Sequence, residues 1–250
     1  FGRSPGAVVN VVTKSGTNEL HGALFEFLRN NRLDARNFFQ SSVAPLRQNQ
    51  FGASAGGPIR RNRLFFFTSY QGLRGRSSHF RNVALTPTAA ERQGDFSAAP
   101  VSQRPVDPTN QQPFPNATLP ARFLDPVAGR IMQALVPLPN TPDGRLEVFE
   151  PATSDSDQGL GKVDYQVNSN HKLYGSFFIV KGGSFVPFGG VSQIPGYGVT
   201  NDTLNQYNVV VNEDWIAGPA LLNNIRFGYA RRHPASITPI QTSWKDFGSR

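Results

Sequence analysis

Seven runs of this chain read as β-strands, the clearest of them alternating apolar and polar side chains at a period of two, and the stretches joining them alternate between long and short. Residues 21–29 put Phe25 and Phe27 on one face and Leu24, Glu26 and Leu28 on the other. Further runs lie at 48–55, 64–73, 162–167, 173–181, 204–216 and 222–231. In the sixth, Tyr207, Val209, Val211 and Trp215 oppose Asn208, Asn212 and Asp214. In the seventh, Ile225, Phe227 and Tyr229 oppose Asn224, Arg226 and Gly228. A period of two is that of a strand with two different faces. The connections read long (30–46), short (56–63), long (76–156), short (168–170), long (182–203) and short (217–220).

An up-and-down antiparallel barrel in an outer membrane has this rhythm, with tight turns on the inner side and long loops outside. A loop the size of 76–156 is suspect inside a soluble domain and ordinary there. Glycine (24), proline (20) and phenylalanine (20) are abundant while methionine occurs once, which disfavours a helical protein. No apolar run approaches the ~20 residues of a membrane helix, but barrel strands need only ~9–11 residues of alternating character. Seven strands cannot close a bacterial barrel, and an open edge in lipid leaves backbone groups unpaired at several kcal/mol each. The expectation is therefore an internal fragment, beginning at Phe1 without a signal segment and stopping at Arg250.

Other chemistries fare poorly. The net charge of +8 raises nucleic acid as a partner. The eleven arginines between Arg29 and Arg92 lie in loops and strands without an aromatic-basic motif, and no nucleic-acid partner is expected. There is no cysteine, and the four histidines lack metal spacing, so no metal or other cofactor is expected. His21 and His171 sit beside strands, where a hydrogen-bonded or interfacial role is expected. Gly52-Ala53-Ser54-Ala55-Gly56 has the form of a hydrolase nucleophile elbow. That elbow needs a helix next, and Gly57-Pro58 does not start one, so no catalytic residue and no enzyme activity are expected. Asp107, Asp143, Asp155 and Asp157 read as solvated loop carboxylates. Within the long loop, Thr88 and Glu91 fit a capping box for a short helix over 86–93, and Asp125-Pro126 opens a second that runs to Leu135. Residues 6–14, rich in β-branched side chains, read as a strand before a turn at 15–18.

The run 6–18, ending Thr13-Lys14-Ser15-Gly16-Thr17-Asn18, resembles the end of the plug domain of TonB-dependent receptors. From residue 21 onward the chain is similar to Oar-like receptors of acidobacterial type, which carry an N-terminal carboxypeptidase-regulatory-like domain. The matching pieces are residues 21–27, 34–39, 47–52, 56–59, 65–67, 94–97 and 135–140. The likeness runs in order over nearly the whole chain. It implies an all-β outer-membrane protein: the start of a transmembrane barrel of about 22 strands, with the last strand of the plug and long external loops bearing short helices. Residues 1–18 are then the end of the plug, and 19–250 the first barrel strands with the long loop at about 76–156.

The implied location is the cell outer membrane of a Gram-negative-type bacterium. The implied partners are outer-membrane lipid and lipopolysaccharide, the TonB complex through a region upstream of this sequence, and a solute that the sequence does not name. The function expected is TonB-energised uptake of a solute too large or too scarce for porins. Alternatives are a non-transporting surface protein acting in adhesion or assembly, and a soluble β-sandwich that binds carbohydrate. The aromatics Phe65, Phe67, Tyr165, Phe177, Trp215, Phe227 and Tyr229 fit either a lipid-facing band or a sandwich core. On the band reading, Asp164, Asn212, Asp214 and Arg226 face the lumen, where they are candidates for contact with plug or solute.

Overall fold

A strand's backbone is satisfied only by neighbours, and here each strand folds back on the one before it. The computed structural model describes residues 12–40, 42–83, 85–187, 198–238 and 243–249. Its strands are β1 (His21–Asn30), β2 (Leu46–Arg60), β3 (Leu64–Val83), β4 (Leu146–Gln166), β5 (His171–Val186), β6 (Thr200–Gly218) and β7 (Leu221–Ile237). They form one antiparallel sheet in the order β1-β2-β3-β4-β5-β6-β7. The long and short connections alternate as expected. The connections at 61–63, 167–170 and 219–220 gather at one end of the sheet, and the strand ends at Asn30 and Leu46, Val83 and Leu146, and Val186 and Thr200 lie at the other.

Several boundaries move. The long loop is residues 84–145 rather than 76–156, because β3 and β4 continue well past their alternating parts. There Arg74 and Arg76 on β3 make two-pronged hydrogen bonds to Asp157 and Asp155 on β4, at 2.6–3.0 Å. These cross-strand pairs hold the ladder where apolar alternation has ended, so Asp155 and Asp157 are strand residues and not loop carboxylates. Similarly, β2 runs through Gly56-Gly57-Pro58 to Arg60, and only 61–63 turn, with Asn62 at φ 61°. The loop expected at 182–203 shrinks to 187–199. Of the strand expected over 6–14, Val12 to Lys14 are not in a strand, and the remainder lies outside the described residues. In 86–93 only Glu91–Gln93 is helical, as a single 3-10 turn, although Thr88 and Glu91 do exchange the hydrogen bonds of a capping box.

The register divides the strands into two faces. One carries Phe66, Tyr70, Val163, Tyr165, Phe177, Ile179, Tyr207, Val209, Val211, Trp215, Ile225, Phe227 and Tyr229, linked row by row (Phe66–Val163–Gly175–Val211–Phe227). Most of these side chains are exposed, Phe227 at 63% and Val211 at 48%, while Phe66, Ile179, Tyr207 and Val209 are half-buried. The opposite face holds polar residues, and two of them are buried: Asp164 at 6% and Asn212 at 3%. A soluble sandwich buries its apolar face against a second sheet, whereas the described residues form one sheet with that face uncovered. The sandwich alternative falls on this observation. Of the aromatics considered for the band, Phe65 and Phe67 lie on the polar face and the other five on the apolar face.

On β6, Trp215 and Tyr207 bound a mostly apolar stretch whose one charged member, Glu213, meets His171 beside Trp215. Eight residues separate them, roughly 26 Å along the strand, close to the ~25 Å apolar belt of outer-membrane barrels. His171 stacks on Trp215 with ring centroids 5.5 Å apart and meets Glu213 at 3.0 Å, so it is hydrogen-bonded at the short-turn rim.

The loop 84–145 builds a small core of its own. Ala99, Phe114 and Ala117 are buried, and the Phe114 and Phe123 rings meet at 5.1 Å. Helix α1 (Pro126–Leu135) starts where expected, with Asp125 accepting from the N–H groups of Val127 and Ala128 at 2.7 and 2.8 Å. Its far end is closed by Arg92, which donates to the carbonyls of Met132, Val136 and Pro137.

Candidate functional site

The polar face gathers the four residues singled out by sequence. Asp164 on β4, Asn212 on β6 and Arg226 on β7 occupy one cross-strand row that reads Phe65–Asp164–Tyr174–Asn212–Arg226. Asp214 stands in the next row, opposite Lys172 and Asn224. Strand alternation alone puts them on one face, and the antiparallel register puts them at one height. Asn224 Nδ2 donates to Asn212 Oδ1 at 3.2 Å and also to Asp214 Oδ1, and Asn212 Nδ2 donates to that same oxygen at 3.2 Å. β5 separates Asp164 from this trio, whereas Arg226 stands directly opposite Asn212 on the neighbouring strand.

Asp164 instead belongs to a second group that sequence reasoning missed. Lys162 lies two residues before it on the same face, with its Nζ 3.5 Å from Asp164 Oδ1. Both side chains are nearly sealed from solvent, at 10% and 8% exposure. The ammonium also donates to Ser15 Oγ at 2.7 Å and sits 5.2 Å from the centre of the Tyr174 ring. Asp164 Oδ2 is buried with no hydrogen-bond partner. The two-residue spacing of Lys162 and Asp164 in a strictly alternating strand was the available signal. Ser15, 147 positions away, gave none.

Residues 15–18 therefore pass over the short-turn end of the polar face. Gly16 lies flat against β2 and β3: a Cβ there would come within 2.3 Å of the Phe66 carbonyl oxygen and 2.6 Å of that of Gly57. Only glycine allows so close an approach of two backbones. Beyond it, Asn18 and Asn62 exchange hydrogen bonds, Asn18 Nδ2 to Asn62 Oδ1 at 2.7 Å and Asn62 N–H to Asn18 Oδ1 at 2.8 Å. The segment is thus fixed to the first tight turn just before β1 begins.

This arrangement offers charged and hydrogen-bonding groups to a polypeptide or a polar solute. Ser54, the serine of the elbow-like motif, lies inside β2 opposite Ser69, and the strand continues to Arg60. No group of three or more metal-ligating side chains occurs among the described residues.

Comparison with known proteins gives one family and one partial relative. The outer membrane beta barrel domain family matches residues 12–249. The TonB-dependent transporter Oar of Myxococcus xanthus is 36% identical over 91 residues, which cover 33% of this chain and 9% of that protein. The matched part therefore spans less than a tenth of that relative's length. No solved structure is significantly similar.

Proposed function

The chain belongs to the outer membrane β-barrel domain family and resides in the outer membrane, and from that premise we propose that it supplies the first wall strands of a TonB-energised receptor. In this reading residues up to 18 are the end of the plug and 19–250 the start of an up-and-down barrel of about 22 strands. The apolar face meets lipid and lipopolysaccharide. The polar face lines the lumen, and 84–145 is an external loop. The protein takes up a solute too large or too scarce for porins. TonB engages a region upstream of the plug, and the chain contributes wall and loops rather than catalysis. The partial likeness to a TonB-dependent transporter supports the receptor reading, and an Oar-like type is part of the proposal.

The observation that carries the reading is the seating of 15–18 on the polar face, through Lys162, Gly16 and Asn62. A plug fills a barrel from inside, so its exit segment must cross the lumen side of the wall before entering the first strand. Asp164, Asn212, Asp214 and Arg226 then divide by position. Asp164, through Lys162, belongs to the plug contact, whereas Asn212, Asp214 and Arg226 line the wall where a solute would pass.

The test is passage of a graded series of fluorescent peptides above the porin size limit into the periplasm of cells bearing the full-length protein. Passage of at least one that ceases with a protonophore supports the reading. Protonophore-resistant passage, or none at all beside normal assembly, favours the surface-protein alternative. The self-packed core of the 84–145 loop speaks for that second reading, since a folded external module is what adhesion or assembly would use.

A further inference from the structure

Just beyond the tyrosine rim of the apolar face, on the long-loop side, four cations share one surface. Arg74 and Arg76 project from β3, Arg47 from β2 and Lys181 from β5, all on the face of Phe66 and Phe227 by register. The β2-to-β5 distance across the sheet is about 15 Å. We propose that this patch binds the phosphate groups of a membrane lipid in the leaflet on the long-loop side. The proposal rests on the barrel reading and adds to it a site and a headgroup chemistry.

Position selects lipid over a soluble anion. These side chains leave the same face as the exposed aromatics, directly past Tyr70 and Tyr207, which is the level of headgroups if the apolar belt lies in hydrocarbon. Charge selects phosphate. The guanidinium groups of Arg74 and Arg76 are held by Asp157 and Asp155, and each also donates to strand carbonyls, Arg74 to Leu73 and Ser156 and Arg76 to Gly75. Their orientation is thus set before any ligand arrives. Arg47 stands directly opposite Arg76, whose charge Asp155 already meets with both oxygens, so Arg47 is the uncompensated member of that pair. Lys181 stands opposite Asp157, both of whose oxygens already serve Arg74. Among the described residues neither Arg47 nor Lys181 has a carboxylate partner. Four cations against two carboxylates leave an excess that a lipid bearing two phosphates would neutralise. The other rim of the same face carries a carboxylate, Glu213, against His171, with Arg60 on β2 opposite Leu64.

The test uses the full-length protein in neutral detergent, titrated with bis-phosphorylated lipid A, with its dephosphorylated form and with inorganic phosphate, and read by native mass spectrometry. The variant R47Q/K181Q spares both Arg–Asp pairs, and K172Q on the polar face serves as control. Each cation near a charged surface is worth about a fivefold factor, so the double variant is expected to lose roughly 25-fold in affinity for the phosphorylated lipid while K172Q loses nothing. A preference for phosphorylated over dephosphorylated lipid that survives R47Q/K181Q overturns the site. Inorganic phosphate competing at equal concentration overturns the lipid assignment. A protein that is monodisperse without detergent overturns the barrel reading along with the proposal, whereas a detergent-requiring barrel indifferent to lipid phosphate overturns the proposal alone.

Discussion

Replacing Lys162 by methionine keeps the length and apolar stem of the side chain and removes its charge. At 3.5 Å from Asp164 Oδ1, the pair is worth about 5 kcal/mol at the effective dielectric of ~20 that suits protein sites. Both partners are about nine-tenths buried, so water does not replace the lost ammonium, and removing one member of such a pair costs roughly 3–5 kcal/mol. Asp164 Oδ2 already lacks a partner, so K162M leaves the whole carboxylate stranded, and the upper half of that range is expected. Adding Asp164→Leu removes the stranded charge, and the double variant is expected within about 1 kcal/mol of the parent. The assay is urea unfolding of the full-length protein in detergent, read by the gel shift between folded and unfolded barrel. A single variant that loses less than about 1 kcal/mol would refute the argument, because the pair would then be solvated in the assembled wall. A double variant as unstable as the single would also refute it, by showing that Lys162 acts through Ser15 alone.

Other outcomes rest on the same geometry. Val211→Arg, on the apolar face, should cost about 2–4 kcal/mol in a bilayer, and Val210→Arg, one residue along and on the polar face, should be tolerated; folding yield into vesicles separates them, and equal costs would sink the two-face assignment. Gly16→Val cannot seat against the Phe66 and Gly57 carbonyls, so residues 12–20 should lift and become sensitive to protease in the detergent-purified protein, with the strands still protected. Hydrogen bonds from Ser97, Thr109 and Thr141 hold the carboxyls of Asp95, Asp107 and Asp143 below the usual range. A depressed folded value adds stability above the unfolded carboxylate pKa of about 3.9. That contribution is lost as pH falls through the folded values. Hydrogen exchange in 84–145 should therefore be flat from pH 7 to 5 and rise below about pH 4, once corrected for intrinsic rates, and a rise near pH 6 would contradict the assignment.

The strands were legible where lipid dictates alternation and illegible where it does not. Lys162 to Gln166 and Leu222 to Arg231 could be read because every second side chain must be apolar. The outer reaches of β3 and β4 could not, because Arg74–Asp157 and Arg76–Asp155 replace alternation with ion pairs whose partners lie 83 and 79 residues apart. The same limit applied to the candidate site. The common face was implicit in the parity of Asp164, Asn212, Asp214 and Arg226, while their common height came only with the register. The Lys162–Ser15 contact depends on where a distant segment crosses the sheet, and local pattern carries no record of it. Asp125-Pro126 was legible because a cap and its helix are neighbours in sequence.

The pairing of β3 with β4 has a consequence for assembly. Every other neighbouring pair is closed by a far shorter connection, while this longest ladder must wait for a connection on the order of 60 residues, which adds about 2 kcal/mol of closure entropy over a tight turn. Left to itself, the chain would zip β2 to β3 and β4 to β5 into separate hairpins early and join them at this seam late. The folded core of 84–145, with Arg92 fastening α1 and the Phe114–Phe123 contact at its centre, shortens that path. It acts as a clasp that brings the two halves together before the membrane does.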